Sequence, residues 1–247
     1  MAGNAITVLV NGAQGRMGRH VVAAVEAESD LALVGQTDIG DDLAKAITDT
    51  GAQVVVDFTV PDSAVANTER ILKAGAHPVV GTTGFQSEDI DRLTAHAASL
   101  KRGGLIAPNF AIGAVLLMRF AAEAARYMPH VEVIELHHDK KLDAPSGTAI
   151  KTIDLIAETL PEPPLPSPDE KELVTGARGG RYRGIAVHSV RLPGYVAHEE
   201  VIFGGLGQTL SIRHDSLSRE SFMPGVVLAV RKVTTMEHLE YGLEKIL

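Results

Sequence analysis

The sequence predicts an α/β protein, with a doubly wound parallel sheet in the first half and a second α+β domain after it. Three observations predict this. Short β-branched runs alternate with helical stretches through the first half, the order of repeated βα units. Strand candidates such as VVVDF at 54–58 are apolar throughout instead of alternating, as strands covered by helices on both faces are. Later in the chain, three strand candidates follow one another with no helix between them, which points to a mixed or antiparallel sheet.

Taken in order, residues 5–10 read as a strand, 16–28 as a helix and 31–36 as the next strand. The apolar strand at 54–58 leads into a helix at 61–74, which opens on Pro61. Residues 78–81 are a strand, 87–100 a helix and 104–107 a short strand. An Ala-rich helix spans 111–127, a strand 132–138 and a helix 146–159. The Pro- and Gly-rich stretch 161–180 reads as a long loop. Strands at 185–191, 197–203 and 209–214 follow, and 221–232 is helical. The domain boundary falls near 107–110, where the βα alternation stops.

Composition narrows the functional classes. The 247 residues are enough for two domains, and 45% hydrophobic with 22% charged residues is ordinary for a globular chain. Thirty-one acidic against 23 basic residues give a net charge of −8, which argues against nucleic acid or an anionic membrane as partner. With no cysteine, disulfides, thiolate nucleophiles and Cys metal sites are excluded. The N-terminal stretch has no basic region and only a short apolar run, so it reads as a first strand and not as a signal peptide. No run is apolar enough to span a bilayer, and a cytoplasmic location is expected.

Gly12-Ala-Gln-Gly15-Arg-Met-Gly18 lies between the first strand and the first helix. Glycines there allow a sharp turn and a close approach of the backbone to a pyrophosphate. The helix N-terminus then offers free N–H groups to the anion. The motif alone is a weak signal, since many βα turns are glycine-rich. Asp38, 20 residues past Gly18 and just after the second strand, strengthens it, because a carboxylate there accepts hydrogen bonds from the adenosine ribose. Asp38 would repel a 2′-phosphate, and Ile39 puts no basic residue beside it, so NADH is expected to be used well. Arg16 and Arg19 keep NADPH open. Gly81-Thr-Thr-Gly84 and Ala107-Pro-Asn-Phe110 follow later strands on the same edge of the sheet, where ligands of open α/β sheets bind.

The densest polar segment is Glu135-Leu-His-His-Asp-Lys-Lys-Leu-Asp-Ala-Pro-Ser-Gly-Thr148. It runs from a strand end through a loop into a helix start. His137 and His138, adjacent on a strand, point to opposite faces and so do different jobs. Imidazole, with an unperturbed pKa of about 6.5, suits proton transfer near neutrality. Lys140 and Lys141 supply positive charge, and the helix start at Ser146-Gly147-Thr148 supplies N–H groups and hydroxyls for a carboxylate. Together they fit a small dicarboxylate substrate. A metal site is not expected, because adjacent strand residues diverge and the nearby acids lack ligand spacing.

These segments resemble those of the 4-hydroxy-tetrahydrodipicolinate (dihydrodipicolinate) reductase family. The resemblance rests on GAQGRMG, VVVDFT at 54–59, GTTGF at 81–85, APNFAIGAV at 107–115, ELHHDKKLDAPSGTA at 135–149, GARGG at 176–180 and HDSLSRESFMPG at 214–225. The HH-x-x-K-x-DAPSGTA pattern is the specific one. The resemblance implies a Rossmann-type cofactor domain, 1–108 completed by 218–247, and a substrate-binding and tetramerisation domain, 109–217. It implies cofactor contacts at Gly12, Ala13, Gln14, Gly15, Arg16, Met17, Asp38, Gly81, Thr82, Thr83, Ala107, Pro108, Asn109 and Phe110. His137 would match the proton donor and Lys141 the catalytic lysine, while His138, Gly147 and Thr148 would hold substrate. The implied reaction is NAD(P)H-dependent reduction of 4-hydroxy-tetrahydrodipicolinate, with loss of water, on the lysine/diaminopimelate route. Relatives often carry a basic residue after the acidic one at the second strand, and Ile39 departs from that.

Two other functions are weighed against this. An aspartate-semialdehyde dehydrogenase needs a thiolate, which the chain does not have. A non-enzymatic dinucleotide-sensing regulator would use the first half alone and has no need of the HHDKKLDAPSGT segment.

Overall fold

The computed structural model describes residues 5–160, 169 and 171–247. The chain folds as two compact units, Met1–Ile112 with Arg219–Leu247, and Gly113–Ser218.

The first unit is built on a six-stranded sheet. Its strands are β1 (Ile6–Asn11), β2 (Leu31–Thr37), β3 (Val54–Asp57), β4 (His77–Val80), β5 (Gly104–Ile106) and, far along the chain, β11 (Leu239–Tyr241). All pairings are parallel, in the order β11-β5-β4-β3-β1-β2. The order reverses between β1 and β3, and such a reversal opens a crevice at the carboxyl ends of the strands. The helices are α1 (Arg16–Ala27), α2 (Leu43–Thr50), α3 (Pro61–Lys73), α4 (Ser87–Ser99) and α7 (Met223–Val233). Helix α1 packs on α7, and α3 packs on both α2 and α4.

The apolar strands sit in the middle of the sheet, as their composition requires. Val54, Val55 and Val56 of β3 are fully buried, as are Val8, Leu9 and Val10 of β1. Leu9 and Val55 pack with Leu43, Ile47 and Ile71 from α2 and α3. Val80 and Ile106 pack with Leu72, Leu93 and Leu239. Helix α2 and strand β11 are absent from the sequence reading. The first is only two turns long, and the second contributes three residues whose pairing with β5 is backbone to backbone.

The second unit has α5 (Ile112–Ala125), β6 (His130–His137), α6 (Gly147–Thr159), β7 (Gly180–Tyr182), β8 (Ile185–Arg191), β9 (Ala197–Gly205) and β10 (Gln208–Ser216). The sheet order is β10-β9-β6-β8-β7. Strand β6 lies at the centre, parallel to β8 and antiparallel to β9, so the sheet is mixed. Short β7 is exposed throughout and carries no apolar pattern to read. Part of the loop expected over 161–180 lies outside the described residues. Two 3-10 turns, Arg219–Phe222 and Leu243–Lys245, complete the described elements.

Candidate functional site

The first unit carries a cleft of about 770 Å³ at the carboxyl ends of its strands. The glycine turn forms one wall. Gly12 has φ +80°, and a Cβ there would come 2.6 Å from the carbonyl oxygen of Phe58. Only glycine therefore fits between the turn and the end of β3. Gly15 caps α1 with no side chain, and the first turn of the helix holds no acidic residue. Gly12, Gly15, Arg16 and Met17 line the cleft, which sets an uncapped helix N-terminus against it. That is the cradle a pyrophosphate needs, and the residues fit a dinucleotide.

Asp38 lines the same cleft, held by the turn itself. One carboxylate oxygen accepts from the Gln14 amide at 2.9 Å and the other from the Ile39 amide at 2.9 Å. Those backbone donors hold its pKa below the usual carboxylate value. Ile39 is 92% exposed and also lines the cleft, so a hydrophobic side chain stands beside the acid. Gly81, Thr82 and Thr83 also line the cleft, with Phe58 and Thr59. Arg70 of α3 is a cleft cation that sequence reading misses.

Other expected cofactor contacts have different surroundings. Ala13 and Phe110 are buried, and Ala107 is fully enclosed, offering a ligand no surface of its own. The Phe110 ring packs on Phe58 with centroids 5.8 Å apart, and so supports a residue that does line the cleft. Asn109 accepts a hydrogen bond from the Ala111 amide at 2.8 Å, while Pro108 and Gln14 are exposed.

Beneath the cleft floor lies a buried carboxylate. Asp57, at the end of β3, is fully buried. Its oxygens accept from Asn11 Nδ2 at 2.7 Å, Asn67 Nδ2 at 3.0 Å, Thr82 Oγ1 at 3.0 Å, Thr59 N at 3.1 Å and Thr59 Oγ1 at 2.7 Å. Thr37, at the end of β2, donates in turn to Asn11 Oδ1 at 2.8 Å.

The second unit gathers the polar segment around another buried carboxylate. Glu135 and His137 are two apart on β6 and share a face. His137 Nδ1 lies 2.5 Å from Glu135 Oε2. An ionised carboxylate only accepts, so Nδ1 carries the proton and Nε2 is left for chemistry. Arg191, from the end of β8, clamps both oxygens of Glu135 at 2.7 and 2.8 Å. The Ser146 amide adds a bond of 3.3 Å. Burial works to raise the Glu135 pKa, but hydrogen bonds from His137, Arg191 and Ser189 outweigh it and hold the carboxyl at about 2.

Arg191 also donates to the carbonyl of Asp143 at 2.7 Å, and the Asp143 carboxylate takes Lys141 Nζ at 2.8 and 2.9 Å. One hydrogen-bonded chain therefore runs His137–Glu135–Arg191–Asp143–Lys141. Asp143 is thus a lysine partner and not a helix cap; Ser146 is the N-cap of α6, accepting from the Ala149 amide. His138 and Lys140 are exposed. Gly147 opens α6 with nothing near the place a Cβ would take. Among the described residues no group of His, Asp and Glu is gathered to hold a metal.

Family models bear on both units. The model described as "Dihydrodipicolinate reductase, N-terminus" matches residues 6–110, and "Dihydrodipicolinate reductase, C-terminus" matches 113–247. The chain belongs to the dihydrodipicolinate reductase family. The 4-hydroxy-tetrahydrodipicolinate reductase of Desulfitobacterium hafniense is 51% identical over 98% of both chains. That of Geobacillus thermodenitrificans is 50% identical over 98% of this chain and 99% of its own. A dipicolinate-bound dihydrodipicolinate reductase from Paenisporosarcina sp. TG-14 superposes with a TM-score of 0.92 at 42% identity, covering 98% of this chain and all of that one. A scyllo-inositol dehydrogenase from Lactobacillus casei, at 12% identity and TM-score 0.62, shares the fold.

Within this member of the reductase family, sequence reading misses Asp57, Asn67, Arg70 and Arg191 as site residues. Asp57 leaves a signal, a lone charge ending an otherwise apolar buried strand. Arg191 leaves none, because its pairing with Glu135 depends on the register of β6 against β8.

Proposed function

We propose that the chain reduces 4-hydroxy-tetrahydrodipicolinate, by way of dihydrodipicolinate and with loss of water, to tetrahydrodipicolinate in lysine/diaminopimelate biosynthesis. The observation that carries this is the match to family members along both halves, at about half identity and nearly full length of each chain. Residues 1–108 with 218–247 are read as the cofactor domain and 109–217 as the substrate domain.

The cleft of the first unit binds NADH or NADPH. The open N-terminus of α1 takes the pyrophosphate, and Asp38 takes the ribose hydroxyls. The nicotinamide, when bound, supplies the hydride. In the second unit, the α6 N-terminus with Gly147 and Thr148 receives a substrate carboxylate, and His138 adds a substrate contact. Glu135 fixes the ring of His137 so that Nε2 is presented as the proton-transferring atom. Lys141, steered by Asp143, directs or supplies the proton. The exposed Ile39 and the anchored Asp38 favour NADH, with Arg16 at the glycine turn leaving NADPH usable.

The same reading makes the chain a homotetramer. Strand β10 supports this, being an edge strand of nine residues, mostly exposed, with Leu210 open on it and Leu206 open in the turn before it. It also places the enzyme in the cytoplasm, where reduced nicotinamide is regenerated.

The test is coupled turnover with the product of the preceding synthase made in situ. Nicotinamide oxidation should depend on both proteins and run faster with NADH than with NADPH. Binding of NADH without turnover would sink the catalytic roles of His137 and Lys141.

A further inference from the structure

Asp57 is an anion held in an unusual way. It is fully buried, and every group that reaches it is a neutral donor: two side-chain amides, two hydroxyls and one backbone amide. Among the described residues no Lys, Arg or His pairs with it. The hydrogen bonds satisfy its lone pairs without a cation in contact; Arg70 reaches it only through Asn67, whose Oδ1 accepts from the guanidinium at 3.2 Å.

Its position gives that charge a direction. Asp38 stands at the end of β2 and the glycine turn at the end of β1. A dinucleotide with its adenosine ribose on Asp38 and its pyrophosphate on the turn has the ends of β3 and β4 left for its other half. Asn11, Thr59, Asn67 and Thr82, the four side chains that bind Asp57, all line the cleft. They join the ends of β1, β3, β4 and the first half of α3, with Thr37 of β2 tied in through Asn11. The carboxylate therefore lies under the nicotinamide end, one layer of side chains away.

We infer that Asp57 is a positioning residue for the nicotinamide half of the cofactor: it fixes the strand ends that hold the ring, and its charge, with no cation in contact, favours the oxidised, cationic ring over the reduced, neutral one. Its charge reaches the site across protein and not across water, so screening is weak. The inference rests on the cofactor reading above. It adds that the floor of the cleft discriminates between redox states, apart from any residue that touches substrate.

The test compares NAD+ and NADH dissociation constants for the wild type and Asp57→Asn, by calorimetry or nicotinamide fluorescence, with no substrate present. In the variant the ratio of the NAD+ to the NADH constant should rise by about tenfold. A variant in which both affinities fall together, with the ratio unchanged, would reduce Asp57 to a scaffold residue and overturn the inference. Should Asp57→Asn fail to fold, the wild type decides. Its affinity for NAD+ should exceed, by about tenfold, that for benzamide adenine dinucleotide, whose ring has the same shape and no charge. Equal affinities overturn the inference. A wild type that binds neither NAD+ nor NADH fails the cofactor reading instead, and that outcome is distinct.

Discussion

Asp57 and Glu135 are both fully buried, yet one is held by amides and hydroxyls and the other by a guanidinium and an imidazole. The difference divides the labour of the two units. Neutral donors satisfy a carboxylate without cancelling it, so the cleft floor of the first unit keeps a local field. The guanidinium of Arg191 is a cation in direct contact with Glu135, so the second unit pairs its buried charge and uses the carboxylate to orient His137. A third carboxyl marks the limit of both strategies. Glu199 lies opposite Glu135 in the register of β6 and β9, is 4% exposed, and has no cation paired with it among the described residues. Thr152 beside it commits its hydroxyl hydrogen to the carbonyl of Thr148. Burial pushes Glu199 up to about 7, with the charge of Glu135 adding to the rise. It therefore keeps its proton to far higher pH than Glu135 does.

Removing the cation from Glu135 is expected to have the largest effect. Arg191→Ala leaves a buried carboxylate without its clamp and should destabilise the protein by about 3 kcal/mol or more in denaturant unfolding. Combining Glu135→Gln with Arg191→Met should recover most of that loss. If it does not, the pair is contributing more than mutual neutralisation.

Glu199→Gln tests the third case through pH. Its folded value of about 7 lies above the ordinary 4.5, so its contribution to stability is full below 4.5 and is lost as pH rises toward 7. The variant does not titrate, and should gain on the wild type by up to about 3 kcal/mol above pH 7. A parallel pair of melting curves against pH would show the charge of Glu199 to be irrelevant.

Glu135→Gln should lower kcat by about 10- to 100-fold, because the amide can set the imidazole in the wrong tautomer. NADH binding should stay within a few-fold. The sign on the acid side is opposite to that of Glu199. With a folded value of about 2 against the ordinary 4.5, the carboxylate stabilises above 4.5 and loses this as pH falls toward 2. The variant should show a shallower acid limb. Smallest is the removal of one neutral donor. Thr82→Val should cost about 1 kcal/mol, since four other donors remain on Asp57. A loss as large as that of Arg191→Ala would erase the distinction between the two strategies.

What depends on pattern is legible in the sequence. The strands around β1 and β3 are legible because buried parallel strands are apolar without interruption, and the turn at Gly12 because no other residue fits under Phe58. The polar segment from Glu135 to Thr148 is legible as a cluster because its members are close in sequence. What the sequence does not display is partnership at a distance. Arg191 meets Glu135 across 56 positions, and Asn11 meets Asp57 across 46. Both contacts are set by register, which local composition does not encode. Helix α2 and strand β11 escape for a related reason, as short elements defined by what they pack against.

The path of the chain through the first unit has a consequence for its synthesis. Strand β11 pairs with β5, and α7 packs against β3, β4 and β5, yet both come from the segment after Ser218. On a ribosome adding about 5–20 residues per second, the nascent chain would wait about 5–20 s between the emergence of Ile112 and that of Arg219. During that interval β5 is an open edge, and the apolar surface that Val226 and Val230 later cover is bare. The nascent first unit therefore carries an unpaired strand edge and uncovered apolar surface until the final stretch arrives.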